Sequence, residues 1–193
     1  MTELSYAEFG KAFVHAAVSP QRICAVIAGL TEGGVRVGPM HAGPAGMATA
    51  NAVGHIGDPI VDVTGEDPLT YRLTLPAMLD VDVTAAGAKH HFDVEATVRL
   101  ALTVTLLAPL SLAVVAERPT YENVDVVVHP KGIQARVLAR SGMVERDLRK
   151  HIARYVRELL ETEVSAFETI DLMPLVQSMA GEVTASATGG PPR

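Results

Sequence analysis

The stretch FDVEATVRLALTVTLL, Phe92 to Leu107, alternates apolar and polar residues with scarcely a slip. Phe92, Val94, Ala96, Val98, Leu100, Leu102, Val104 and Leu106 share one parity; Asp93, Glu95, Thr97, Arg99, Ala101, Thr103 and Thr105 fall on the other. Successive side chains of a strand point to opposite faces, so this segment is a half-buried strand. Its length sets the terms for everything else. It extends roughly 50 Å at about 3.3 Å per residue, where ordinary strands run about 5–6 residues. The rest of the chain must cover a strip of apolar surface of that length.

The preceding segment, YRLTLPAMLDVDVTAAG, has the same character. Leu73, Leu75, Ala77, Leu79, Val81 and Val83 lie on one face, and Arg72, Thr74, Met78, Asp80, Asp82 and Thr84 on the other. The turn AAGAK joins the two into a long ribbon. After a bend at Pro109, Leu110, Leu112, Val114 and Ala116 keep the phase, followed by NVDVVVH with Val124, Val126 and Val128. A turn at Pro130-Lys131-Gly132 leads to IQARVLAR, where Ile133, Ala135, Val137 and Ala139 alternate and predict a fifth strand. Together these predict an antiparallel meander with one face wet. The Gly- and Pro-rich region 34–68 predicts only short extended pieces at Val35–Val37, Met47–Val53 and Ile60–Val63, a curved or irregular sheet edge.

Helices bracket the strands. Ser5 with Glu8 has capping-box spacing, and Phe9, Ala12, Phe13, Ala16 and Ala17 recur at helical intervals. Ser19-Pro20 reads as an N-cap with proline at the first helical position, opening PQRICAVIAGL with Ile23, Val26, Ile27 and Leu30 on one side. These two segments form one bent helix or two. Near the C-terminus, Val144, Leu148, Ile152, Tyr155 and Leu159 fall within about 80° on a helical wheel, opposite Arg146, Lys150 and Arg157. AFETIDLMPLVQSMAG predicts a short closing element. The expected organisation is one α+β domain over residues 1–180, a long curved antiparallel meander on an N-terminal helix with a C-terminal amphipathic helix, and a disordered polar tail over 181–193.

Composition narrows the function. Hydrophobic residues are 48% of the chain but aromatics only 4%, so the apolar surface is aliphatic. A net charge of -6 argues against a nucleic-acid partner. The single Cys24, in an apolar helical stretch, excludes an internal disulfide and reads as a buried, inert thiol. The uncharged run Leu100–Ala116 holds Pro109 and alternates, so it is strand and turn and not a membrane helix. MTELSYAEFG carries Glu3 and Glu8 and no basic-then-apolar leader, and the expected location is the cytoplasm.

The order of an N-terminal helix, unusually long amphipathic strands and a closing amphipathic helix, over about Ser5 to Val164, resembles the tubular lipid-binding (TULIP) superfamily. That superfamily includes bactericidal/permeability-increasing protein and the synaptotagmin-like mitochondrial lipid-binding domains. The resemblance rests on element order and strand length and on no signature motif. It implies a sheet wrapped on a long helix with an elongated apolar groove for acyl chains. Many members are exported, and this chain departs from them in showing no export signal.

The candidate ligand surface is therefore Val98, Leu100, Leu102 and Val104 with Leu148, Ile152 and Tyr155, because the longest apolar strip and the last amphipathic helix have to face each other. A dry, filled core is the competing reading of the same residues. The partner expected is a lipid or other hydrophobic small molecule. An enzyme or accessory protein acting on such a molecule, and an assembly protein pairing its apolar face in a homodimer, are the alternatives. Eight basic residues against two acids between Lys131 and Arg157 leave that segment at +6, which nominates Arg146, Lys150 and Arg157 for transient contact with an anionic headgroup, membrane surface or acidic partner. No catalytic residue, metal site or cofactor is expected. His90 and His91 are adjacent and point oppositely in a strand, the other histidines lack ligand spacing, and no GxSxG, P-loop or GxGxxG is present. Asp80 and Asp82 share the polar parity, which predicts solvent.

Overall fold

One very long hairpin organises the molecule. The computed structural model of the chain describes residues 3–31, 33–42, 46–140, 142–162 and 169–174. Strand β4 (Leu69–Ala85) pairs antiparallel with β5 (Ala88–Leu107), in register from Thr70 opposite Thr103 to Ala85 opposite Ala88. Ala86 and Gly87 make the turn, with φ of 51° and 78°. Positive φ at both central residues matches the twist of the flanking strands.

Among the described residues no other strand is as long, so each half of the hairpin takes its own neighbours. Beside the turn half of β4 lies β2 (Ala48–Ile56), with β1 (Val35–Ala42) beyond it; beside the other half lies β3 (Ile60–Glu66). On β5, β7 (Val124–Lys131) pairs with the turn half and β6 (Ser111–Ala116) with the far half. The two-residue β8 (Ile170–Asp171) adds to β6. Among the described residues the sheet is eight-stranded, open and antiparallel. Region 34–68 thus forms three full strands where only fragments were expected.

The predicted parity is the buried face. Leu73, Leu75, Leu79, Val81 and Val83, and every second residue from Phe92 to Val104, are buried. Leu106 departs from the expectation and is 63% exposed. Past Thr103, β5 no longer has β4 beside it and keeps only β6. Opposite this core, charges pair in solvent. Asp82 bonds Lys89 and His91, and Arg99 bonds Asp125.

Asp80 and Asp93 stand directly across β4 and β5, a like-charge arrangement that is destabilising on a sheet face. Lys131 on β7 resolves it, with Nζ 2.5 Å from Asp93 and 3.6 Å from Asp80. The Lys131 ammonium holds the Asp93 carboxyl below the usual carboxylate range. Stability from this depressed value is present above the ordinary Asp range and is lost as pH falls through the lowered midpoint. Lys131→Ala should raise the Asp93 midpoint in a carboxyl NMR titration with little change in melting temperature, because both side chains are about half exposed. An unmoved midpoint would show that Lys131 does not govern this pair.

The N-terminal region is two helices, α1 (Tyr6–Ala17) and α2 (Pro20–Thr31). The capping box forms as read: Glu8 N donates to Ser5 Oγ (3.3 Å) and Ser5 N to Glu8 Oε2 (2.8 Å). Ser19 caps α2, accepting from Arg22 N at 3.4 Å. Taken together, Tyr6–Thr31 is long and apolar enough to cross a membrane by length and composition, and α1 leaves Tyr6, Phe9 and Phe13 exposed. The junction is nonetheless tied to the sheet. Tyr71 of β4, 1% exposed, donates its hydroxyl to the Val18 carbonyl, and burial raises its phenol pKa. Tyr71→Phe leaves that carbonyl unpartnered and should cost about 1–3 kcal/mol. Amide exchange should quicken first around Val18. Unchanged exchange there would mean the bond does not hold the junction.

Residues Ile133–Ala139 form a helix, α3, and not the predicted fifth strand. Alternation over seven residues also satisfies a helical period. Ala135, Leu138 and Ala139 pack inward at i, i+3 and i+4, while Ile133 and Val137 are exposed. Then α4 (Met143–Thr162) crosses the apolar face. The predicted closing element is described only in part, as β8, and the predicted tail over 181–193 lies outside the described residues.

Candidate functional site

The helices do not fill the space above the sheet. A cavity of about 210 Å³ lies between the inner face of β4 and β5, the apolar side of α2 and the C-terminal half of α4. Leu73, Leu75, Val98, Leu100 and Leu102 form its floor; Ile23, Val26, Ile27, Leu30, Ile152, Tyr155 and Leu159 form its roof. Its polar lining is slight. Arg22 donates to the Ala17 carbonyl at 3.3 Å, and Thr31 to the Ile27 and Ala28 carbonyls at 3.1 Å. So aliphatic a space holds water poorly, and an apolar cavity of about 150 Å³ can stay dry and take up a hydrocarbon.

Two further cavities continue along α4. One, of about 490 Å³, lies toward the helix N-terminus among Met40, Met47, Ala50, Val81, Val83, Leu138, Met143, Val144 and Leu148. The other, of about 430 Å³, lies between them at the seam of β1 and α4. Its lining is Val37, Gly38, Pro39, Met40, His41, His151, Arg154, Tyr155 and Glu158. Val37 and Tyr155 also wall the first cavity; Met40 and His151 also wall the third. From Met143 to Leu160 the row follows roughly 25 Å of helix.

At the seam β1 breaks step, its register against β2 shifting between Val37 and Met40. Gly38 has φ +128°, and a Cβ there would come 2.8 Å from the Ala50 carbonyl oxygen. Only glycine fits this bend.

Five of the seven nominated residues, Val98, Leu100, Leu102, Ile152 and Tyr155, line the first cavity. Leu148 lines the third instead. Val104 is buried but lines none of the three, because it sits at the far end of β5, where only β6 pairs with it. Sequence reasoning left α2 and β4 out of the site. The signal for β4 was available: a two-residue turn at Ala86-Gly87 dictates Leu73 opposite Leu100 and Leu75 opposite Val98. On the basic face Arg146, Lys150 and Arg157 are all exposed, and Arg157 also donates to the Pro119 carbonyl at 3.0 Å. Cys24 is half-buried, its thiol donating to the Pro59 carbonyl at 3.3 Å. Among the described residues no three His, Cys, Asp or Glu side chains gather as a metal-holding group. No family model matches the chain, and no curated protein matches it.

Proposed function

We propose that this protein binds and carries a lipid or other long aliphatic molecule in the elongated groove beneath α2 and α4, in the manner of the tubular lipid-binding proteins it resembles. The observation that carries this reading is the first cavity: aliphatic on floor and roof, with one Arg22 N–H and the Thr31 hydroxyl bonded to helix carbonyls. Such a lining offers little to orient a polar substrate and suits a flexible alkyl chain, whose burial contributes about 0.8 kcal/mol per methylene. Exposed Arg146 and Lys150 would add weak, salt-sensitive attraction to an anionic surface during loading. Native mass spectrometry of the full chain, purified without detergent and then incubated with oleate or dioleoylphosphatidylcholine vesicles, tests the proposal. A retained lipid mass on the monomer is expected. A lipid-free homodimer that takes up neither probe would overturn it in favour of self-association through the apolar face.

A further inference from the structure

We infer that the outward face of α3, continued by the first turns of α4, is a docking surface for an acidic, amphipathic helix of a partner protein. The inference goes beyond the lipid-binding reading and does not depend on it.

Two aliphatic side chains on α3 have no part in the core. Ala135, Leu138 and Ala139 pack inward, whereas Ile133 is 80% and Val137 64% exposed, one helical turn apart. A helix face turned to water is ordinarily polar, and β-branched residues are only moderate helix formers. Neither burial nor propensity therefore accounts for the pair. Arg136 and Arg140 stand beside them, both exposed, and all four fall within about 100° on a helical wheel. Past Gly142, exposed Arg146, Lys150, Arg154 and Arg157 carry the basic row along α4, within about 80° of one another over about 16 Å. The surface is two apolar knobs at the head of a line of cations.

The row is open to a partner. Among the described residues the ion pairs on this side are Lys131 with Asp80 and Asp93 and Arg149 with Glu145, and none takes Arg136, Arg140, Arg146 or Lys150. Asp147 lines the third cavity. Solvated cations cost the fold nothing, but a line of one sign speeds encounter with the opposite sign and fixes its register. The two knobs then supply apolar burial within a polar rim. Carboxylates one turn apart on a helix recur at about 6 Å, the spacing of the cations they would face. Shape and net charge favour such a helix over a membrane. The chain carries -6 in all although Lys131–Arg157 carries +6, so the remainder is strongly acidic. A bilayer is a plane and brings that remainder within the roughly 8 Å over which charges act at physiological salt. A helix about 10–12 Å across meets the row and little else. Leu138 and Met143 line the third cavity, so a docked partner stands beside the groove.

The test titrates the full chain into a fluorescent helix-forming peptide, three repeats of Glu-Leu-Ala-Ala-Glu-Leu-Ala, and reads anisotropy. A control peptide carries Gln for every Glu. At low salt the Glu peptide should bind about tenfold more tightly than the control, and added salt should shrink that difference. Ile133→Ser with Val137→Ser should weaken the Glu peptide about tenfold whatever the salt, through lost apolar burial. Arg140→Glu with Arg146→Glu should weaken it about thirtyfold at low salt. All four positions are exposed, so melting temperature and oleate retention should stay at wild-type values, which keeps this test separate from that of the groove. No binding of the Glu peptide, or equal binding of the two peptides, overturns the docking surface. Weakening by the charge reversal alone, with the serine variant unchanged, reduces the face to solvated cations and overturns it too. Tighter association with phosphatidylglycerol vesicles than with the peptide, lost in the same variants, makes this a membrane surface and overturns the protein partner.

Discussion

Leu100→Trp should abolish lipid retention while leaving the protein folded. Leu100 is 3% exposed, yet its side chain borders the first cavity, opposite Leu73 on β4 and beneath the helical roof. The larger ring has open volume to enter, so the usual cost of about 1–3 kcal/mol for overpacking a filled core should largely not arise. A ring occupying the space of about four methylenes removes about 3 kcal/mol of apolar burial from the ligand, roughly a hundredfold in affinity. Denaturant midpoint and oleate retention should therefore separate, the first barely moving and the second lost. Strong destabilisation with unchanged oleate retention would mean that the cavity closes in solution and that this part of β5 is ordinary core.

The fold was legible where periodicity ran long. Seven successive alternations from Phe92 to Val104 admit one strand and one buried face, and the helix from Met143 carried its stripe through five residues at consistent spacing. Where the pattern was short, two periods fitted equally well. Ile133–Ala139 holds apolar residues at both strand and helix intervals, and its packing against β7 and α4, not its propensity, decided for helix. Region 34–68 failed for another reason. Its glycines and prolines signal breaks, yet Gly54 sits inside β2, where a Cβ would meet the Met78 carbonyl oxygen at 2.0 Å. There glycine permits close strand approach and does not end the strand. The site was half legible because its floor follows from alternation, whereas its roof depends on where α2 comes to rest. Nothing local in PQRICAVIAGL says which sheet residues lie beneath it.

Phe92→Ala should be the most destabilising single truncation on β5. Phe92 is 1% exposed, stands opposite Val81 on β4 and Pro130 on β7, and lines none of the three cavities. Val81 is itself 1% exposed, and although it also borders the third cavity, the ring of Phe92 is held away from solvent between β4 and β7. Truncating a large side chain in a sealed core typically costs about 3–5 kcal/mol, through lost transfer energy and the cavity left behind. That is a large fraction of a domain's usual 5–15 kcal/mol, or roughly so. Leu100→Ala, by contrast, enlarges a space that already exists and removes fewer packing contacts, so its loss should fall at the low end of about 2–5 kcal/mol. Urea titrations with a shared m-value read both changes. The difference between the two positions is the quantity that matters. A sheet face packed uniformly against its helices would give losses ranked by side-chain size alone. A face that is filled at Phe92 and hollow at Leu100 gives a further gap between them, and adding oleate should narrow it, because Phe92→Ala keeps the groove and gains as much from ligand as wild type whereas Leu100→Ala loses ligand contacts and gains less. Equal losses per atom removed, unaffected by oleate, would place both residues in one continuous filled core.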